Sequence, residues 1–504
     1  MSGFRLLRAA GTFELRNQRV ARGEREPNNG RLEVEFSPPV NHGSESWVSV
    51  LIGRNGVGKS RLLAGIADVF DRIDEERGFI SRETLSVSLI EYMCEGRHVV
   101  LKLNERDVVS ATCDGQKCSP SDLPLPGKII ALTTTPFDKF RISRSAQRLP
   151  DRPVQPEGRY TYLGLRDRSG RASTTATIFR ALEGLFEASK GSDERRLRIA
   201  DIFAFLGYEP RVEVHYRFRV SERTRIQQLI EGASIEEVIS PYETRPSSRG
   251  LGRFRDDPEA IELIRKVGRE VNRRGVLQSF TLQADFLGWS DDDMFFRDVQ
   301  QLRRLGIVEM TAVEVQRQED GTILDLRHAS SGELGIVTGF LGLASAIRDN
   351  SLVFIDEPEI SLHPEWQTRY VDLLTKTFAH FRGCHFILAT HSPLILSDIG
   401  ARSSSVISLD SDRRRAESAV AFAGKSYDYL LATAFEEPGN NNLFVKEEII
   451  RALRLAADGK SQSPEFIELL GWLTTIKSNL QNDSPIVELI EELQEAAKFR
   501  GDRS

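Results

Sequence analysis

The sequence predicts an α/β fold: a mixed sheet flanked by helices and built from two distant halves of the chain, with a helical insertion and a helical C-terminal region. Three observations predict it. A glycine-rich loop at residues 53–60 follows an apolar β-rich run and precedes a helical pattern. A second apolar run ends in two adjacent carboxylates only at Asp356-Glu357. Between them, residues 137–327 change character, becoming rich in arginine and helix-forming stretches. The expected divisions are 1–136 and 328–410 for the two halves of the core, 137–327 for the insertion and 411–504 for the helical tail.

The elements follow in order. Phe13-Glu14-Leu15 and Arg31–Phe36 alternate polar with apolar residues, as half-buried strands do, around a loop at Gly23–Gly30. Trp47–Ile52 reads as a buried strand, and Arg61–Ala67 has helical spacing. Further strands are expected at Leu85–Glu91, His98–Leu103 and Lys128–Leu132. Within the insertion, helices are expected at Pro258–Arg273 and Phe296–Leu305. A strand is marked by Val212, Val214, Tyr216, Phe218 and Val220 alternating with polar residues. Ile307–Arg317 and Thr322–Leu326 read as a hairpin, after which helix and strand alternate to about Leu409. In the tail, Ser463-Pro464 and Ser484-Pro485 each place a capping serine before a first-turn proline. The tail helices Val445–Ala457 and Pro464–Ile476 have apolar faces, suited either to a partner or second copy or to packing within the chain.

Bulk composition narrows the function. With 504 residues, 40% hydrophobic and 28% charged, the chain can bury a sizeable core. A net charge of −6 excludes a generic polyanion binder, so any nucleic-acid contact needs a local basic patch. The apolar stretches fall well short of the ~18 residues that cross a bilayer, and the start lacks an apolar signal core. A cytoplasmic protein without a membrane role is therefore expected. The four cysteines (Cys94, Cys113, Cys118 and Cys384) suit a reducing compartment. Cys113 and Cys118 flank a short turn; with no second pair of like spacing, a hairpin carrying free thiols is a better reading than half a zinc site.

Four motifs carry chemistry. The first, Gly53-Arg54-Asn55-Gly56-Val57-Gly58-Lys59-Ser60 followed by Arg61, fits G-x-x-x-x-G-K-[ST] between a strand and a helix. Its glycines let backbone N–H groups turn toward phosphate, Lys59 reaches the β/γ-phosphates, and Ser60 ligates Mg²⁺. The second, Ser351–Pro358, is a buried strand ending in Asp356 and Glu357. Asp356 suits the metal shell, directly or through water, and Glu357 the general base; the bland reading is two carboxylates reaching solvent. The third, Ser330-Ser331-Gly332-Glu333, describes an ordinary polar helix cap, but also a second anion-binding edge able to serve the nucleotide of a second copy. The fourth, Phe386–Pro393, is a buried strand ending near His391, either a satisfied polar residue or a γ-phosphate sensor.

The order of these motifs resembles the ABC ATPase superfamily, in particular its soluble SMC-like and overcoming-lysogenization-type branch. The likeness covers residues near 10–136 and 322–410 and includes Glu359-Ile360-Ser361-Leu362-His363-Pro364. It implies an ABC-type P-loop ATPase head that binds ATP and Mg²⁺ in a head-to-tail dimer. Each nucleotide would lie between Gly53–Ser60 of one chain and Ser330–Glu333 of the other, with Glu357 as base, His391 as switch and Ser361–His363 as coupling loop. The glutamine expected after Lys128–Leu132 is absent; Thr133–Phe140 stands there instead. The insertion is too short and aperiodic for a long coiled coil, and no acidic strand ends follow His391 to suggest a built-in nuclease. Pro136–Phe140, the size and the helical tail resemble the ATPase subunits of Septu-type antiphage systems (PtuA-like), which accompany some retrons and work with an HNH nuclease.

The resemblance thus implies an ATPase subunit that controls a separate nuclease in antiphage defence. A DNA-binding ATPase of repair or recombination competes, on the strength of Arg141, Arg144, Arg148, Arg152, Arg159, Arg166, Arg168 and Arg171. Those arginines read equally as a solvated, salt-bridged face. A small-molecule kinase has no need of Ser330–Glu333, and a transport ATPase fits poorly with the large insertion.

Overall fold

The structure is a computed structural model that describes residues 3–12, 31–37, 45–74, 86–104, 108–142, 158–166, 170–188, 192–239, 251–274, 278–288, 292–400, 403–410, 414–439, 441–477, 480 and 485–501. The strand expected at Phe13–Leu15, the loop at Gly23–Gly30, Ser484, and Arg144, Arg148, Arg152 and Arg168 lie outside these residues. The chain forms two compact units. The first comprises Met1–Arg141, Gly158–Tyr162 and Arg348–Ser504; the second comprises Ile142–Glu157 and Leu163–Ile347.

The first unit begins with β1 (Arg5–Thr12), β2 (Arg31–Glu35) and β3 (Trp47–Ile52), then α1 (Lys59–Asp74). Next come β4 (Ser86–Cys94), β5 (Arg97–Leu103), β6 (Val108–Cys113), β7 (Gln116–Lys117), β8 (Ile129–Thr133) and β9 (Tyr160–Leu163). An antiparallel sheet has the order β2-β1-β4-β5-β6-β7. Its inner face meets α1 through Phe4, Phe70 and Tyr92, whose ring centroids lie 5.3–5.7 Å apart. Buried His385 ties β1 to β3: its Nδ1 accepts the Leu6 N–H at 3.0 Å, leaving Nε2 protonated to face Ser49 Oγ at 2.9 Å.

The second unit contains α2 (Thr174–Ala188), α3 (Asp193–Phe205), β10 (Tyr208–Phe218), α4 (Arg223–Ile230), α5 (Ile235–Val238), α6 (Pro258–Arg274), β11 (Ser279–Asp285), α7 (Asp292–Arg304), β12 (Val308–Arg317), β13 (Ile323–Asp325) and α8 (Ser331–Ala346). It is less purely helical than expected, because β11-β10-β12-β13 form an antiparallel sheet. The alternation on β10 buries Val212, Val214, Tyr216 and Phe218 on one face, whereas Val220 falls in a short 3-10 turn. The boundary also differs from the expected 327/328. Helix α8, almost wholly apolar, packs on α2 and α3, so Ser330–Glu333 belongs with the insertion.

The first unit resumes with β14 (Leu352–Asp356), α9 (Pro364–Thr377), β15 (His385–Ala389), α10 (Leu394–Ser397), β16 (Ser404–Ser408) and β17 (Glu417–Ser418). Helices α11 (Tyr427–Thr433), α12 (Leu443–Ala457), α13 (Pro464–Lys477) and α14 (Pro485–Gly501) complete it. The central sheet runs β17-β16-β3-β15-β14-β8-β9. Strands β16, β3, β15, β14 and β8 pair in parallel, with β17 antiparallel at the edge. Near-continuous apolar runs suit such a sheet, whose strands are buried on both faces. The apolar faces of α12 and α13 pack with α14 and Ala432 of α11 around Phe466, Leu473 and Ile490, so they serve the chain itself. The Ser463 hydroxyl caps α13 by accepting the Phe466 N–H at 3.2 Å.

Candidate functional site

In the central sheet the carboxyl ends of four strands come level. Leu51 pairs with Ala389, Ala389 with Asp356, and Asp356 with Thr133. Ligands of open α/β sheets gather at this edge. Here it brings together Gly53–Arg61, Asp356, Glu357 and His391, which are up to several hundred residues apart in sequence.

Gly53, Gly56 and Gly58 have φ of 150°, 86° and 106°, values that a side chain rarely tolerates. Arg54, Asn55 and Gly56 are exposed at the loop's crown, Val57 and Gly58 are half-buried, and exposed Arg61 follows. The loop is anchored by Asp410 Oδ2, which accepts the Arg54 N–H at 2.7 Å, while the Arg54 guanidinium reaches Glu437 at 3.0 Å. Lys59 is only 6% exposed and donates to the carbonyls of Gly53 at 2.5 Å and Arg54 at 3.2 Å. Burial lowers its pKa, opposed by the carboxylates of Glu357, Glu359, Asp410 and Asp356.

Ser60 Oγ donates to Asp356 Oδ1 at 2.9 Å. Asp356 is fully buried, and burial pushes its pKa up to about 7 against the Ser60 hydrogen bond, with Glu357, Asp138 and Glu359 adding to the rise. Its Oδ2 is buried without a hydrogen-bond partner. A hydroxyl and an orphaned carboxylate oxygen beside a glycine cradle are the donor set that a phosphate-bound Mg²⁺ takes, so the residues fit that group.

Glu357 is half-buried, with its backbone left-handed at φ 50°. Its N–H donates to Ala389 O at 2.8 Å, and its carbonyl accepts Thr134 Oγ1 at 2.6 Å. Thr134 stands in the segment that lacks the expected glutamine; Asp138 in the same segment is instead engaged by Tyr162 at 2.8 Å and the Phe140 N–H at 3.0 Å. That segment braces the strand end and supplies no glutamine oxygen for a metal.

His391 meets a residue that the motifs alone did not single out. Its Nδ1 lies 3.0 Å from Glu359 Oε1, and its N–H donates to the same oxygen at 2.7 Å. Burial would raise Glu359, but the His391 ring and backbone hydrogen bonds outweigh it and hold this carboxyl below its ordinary range. The hydrogen bond to Glu359 raises His391 in turn, with burial opposing. Gln367 on α9 joins this corner to the Ser361–His363 turn: its Oε1 accepts Ser392 Oγ at 2.7 Å and its Nε2 donates to Leu362 O at 3.0 Å.

Ser330 and Glu333 close a capping box on α8, with Ser330 Oγ accepting the Glu333 N–H at 3.3 Å. Arg317 holds Glu333 at 2.7 Å. Ser330 and Ser331 are exposed and Gly332 half-buried, so this helix N-terminus is open in its own unit. Of the arginine cluster, Arg141 pairs with Asp68 and Asp71 at 3.0 and 3.2 Å, and Arg159 with Asp74 at 2.7 Å, as a salt-bridged face would. Cys113 and Cys118 sit on a hairpin with free thiols. Among the described residues no helix is long and apolar enough to cross a membrane.

Comparison with known proteins adds three findings. Residues 152–397 match the family described as "AAA domain, putative AbiEii toxin, Type IV TA system". The match takes in Asp356, Glu357 and His391 but not Gly53–Ser60. The "Retron Vc95 probable ATPase" of Vibrio cholerae serotype O1 biovar El Tor is 27% identical over 126 residues, which are 22% of this chain and 23% of that protein. The chain thus spans about a quarter of that relative's length. Among solved structures, the SMC head domain from Thermotoga maritima aligns over 80% of this chain and 94% of its own, at 10% identity and a TM-score of 0.32. The Pyrococcus furiosus Smc head domain bound to the C-terminal domain of ScpA aligns over 81% and 93%, at 12% and 0.30. Those two likenesses are too loose to bear on function. The α/β character of the first unit, with its parallel central sheet, is read from the strand order itself.

Proposed function

We propose that the chain binds ATP with Mg²⁺ at Gly53–Ser60 and hydrolyses it, each site being completed by Ser330–Glu333 of a second copy in a head-to-tail dimer. The observation that carries this reading is the Ser60–Asp356 pair, whose second carboxylate oxygen is buried and unpartnered beside Glu357. Ser60 and Asp356 would hold the metal, which supplies positive charge to the β- and γ-phosphate oxygens. Loop N–H groups and Lys59 bind the phosphates. Glu357 orients water in line with the γ-phosphate and takes its proton. His391, held by Glu359, faces the γ-phosphate as the switch, and Gln367 passes its position to Ser361–His363.

In the cell, the chain would act as the regulatory ATPase of an antiphage complex with a separate HNH-type nuclease, a PtuA-like role. The retron ATPase relative and the match to a family described by a toxin system support this setting. The rival DNA-repair reading draws less support, since Arg141 and Arg159 already have carboxylate partners.

Glu357→Gln is the test. It should keep ATP binding, lose phosphate release by at least about 10²-fold, and elute as a dimer in MgATP. Hydrolysis at the parent rate, or a monomer at saturating MgATP, overturns the mechanism. Unaided DNA cleavage by the purified chain overturns the division of labour with a nuclease.

A further inference from the structure

The ATPase chemistry makes no use of a group of side chains on the polar face of the second unit's sheet. Glu213 on β10 stands directly across from Glu314 on β12. Like charges directly opposite one another destabilise a strand pair unless something positive offsets them. His215, two residues along β10, projects from the same face. Its Nε2 lies 3.2 Å from a Glu314 oxygen, yet is shielded from solvent and makes no hydrogen bond. Its Nδ1 is 3.0 Å from Thr281 Oγ1 on β11. The three donor atoms of Glu213, His215 and Glu314 fall within 4.8 Å of one another. Arg211 forms an ion pair with Glu213 at 3.5 Å on the same strand, leaving Glu314 to His215.

We propose that Glu213, His215 and Glu314 form a three-ligand site for a divalent transition cation of the zinc class, bridging β10 and β12. One imidazole nitrogen and two carboxylate oxygens are a donor set that Zn²⁺ accepts, and three protein ligands leave a position for water. If Nδ1–H donates to the Thr281 hydroxyl, the Nε2 lone pair is free for the ion, the outer-shell arrangement common to metal-binding histidines. Magnesium would select differently, since it favours oxygen ligands and retains water. The competing account is that protonated His215 itself screens the two carboxylates; it requires no metal.

The test is equilibrium dialysis of the full-length chain against Zn²⁺, with excess Mg²⁺ present and Cys113→Ser/Cys118→Ser as the parent. One zinc per chain is expected, with a rise in Tm on loading. His215→Ala and Glu314→Gln should each lose that zinc, and Thr281→Val should weaken it about tenfold, with unchanged circular dichroism. Because His215→Ala alone could fail through misfolding, Glu213→Gln provides the isosteric check. No zinc uptake by the parent, or uptake unaltered in Glu213→Gln and Glu314→Gln, overturns the proposal. Neither result bears on ATP hydrolysis, since no nucleotide is present.

Discussion

Asp356 and Glu359 are buried carboxylates three residues apart on the same sheet edge, yet they sit in opposite electrostatic states. Glu359 meets His391 through both ring and backbone at its Oε1, and its carboxyl is held low although its Oε2 is buried without a partner. Asp356 has only the Ser60 hydroxyl; one oxygen is orphaned and its pKa is pushed up to about 7. Each keeps one buried oxygen without a hydrogen-bond partner; what differs is the neighbour at the other oxygen, a histidine ring with its backbone N–H in one case and a lone hydroxyl in the other. On the proposed mechanism, the contrast separates a device that holds position from a place where charge is to be delivered.

Substitutions can break or sharpen that contrast. Lys59→Ala should have the largest effect, removing the protein's own cation from the Asp356 corner; fluorescent-ATP titration should show affinity falling by at least about 10²-fold. Asp356→Asn should lose Mg²⁺-dependent turnover while raising the Tm of the nucleotide-free protein at pH 8. A pKa raised from 3.8 to about 7 means that ionised Asp356 destabilises the fold increasingly as pH rises through that range. The gain is at most about 4 kcal/mol, and added Mg²⁺ should stabilise the parent but not the variant.

His391→Ala should destabilise, with an effect that fades rather than grows as pH rises. His391 is raised above 6.5, so its contribution is complete below 6.5 and is lost as pH rises through its folded value. Glu359 is lowered below 4.5, so its share is present above 4.5 and is lost as pH falls through its folded value. Denaturant melts should therefore show the largest parent-to-variant difference between 4.5 and 6.5, shrinking toward pH 9. Ser330→Ala should have the smallest effect on stability, about 1 kcal/mol for a lost cap, and should leave Mg²⁺ binding at Asp356 unchanged.

The Asp356 corner was largely legible in the sequence, because each of its members ends an apolar strand or lies in a glycine loop of fixed spacing. Glu359 as the partner of His391, Gln367 as the brace of Ser392 and Asp410 as the anchor of Arg54 were not. Their partners lie 32, 25 and 356 residues away, and only the register of parallel strands brings them near. The insertion's sheet was mostly legible: β10 alternated clearly and β12 and β13 read as a hairpin, whereas β11 became a strand by pairing with β10. The expected boundary at 327/328 missed α8 because a helix apolar on nearly every side carries no mark of which neighbour it will cover.

The left-handed turn at Glu357 sets a conflict between durability and work. A glutamate pays for that conformation where glycine would not, and bonds from Thr134 and to Ala389 keep it in place. Directed evolution for heat resistance alone would favour glycine at this position and, on the proposed mechanism, yield a hardier chain with no means to activate water.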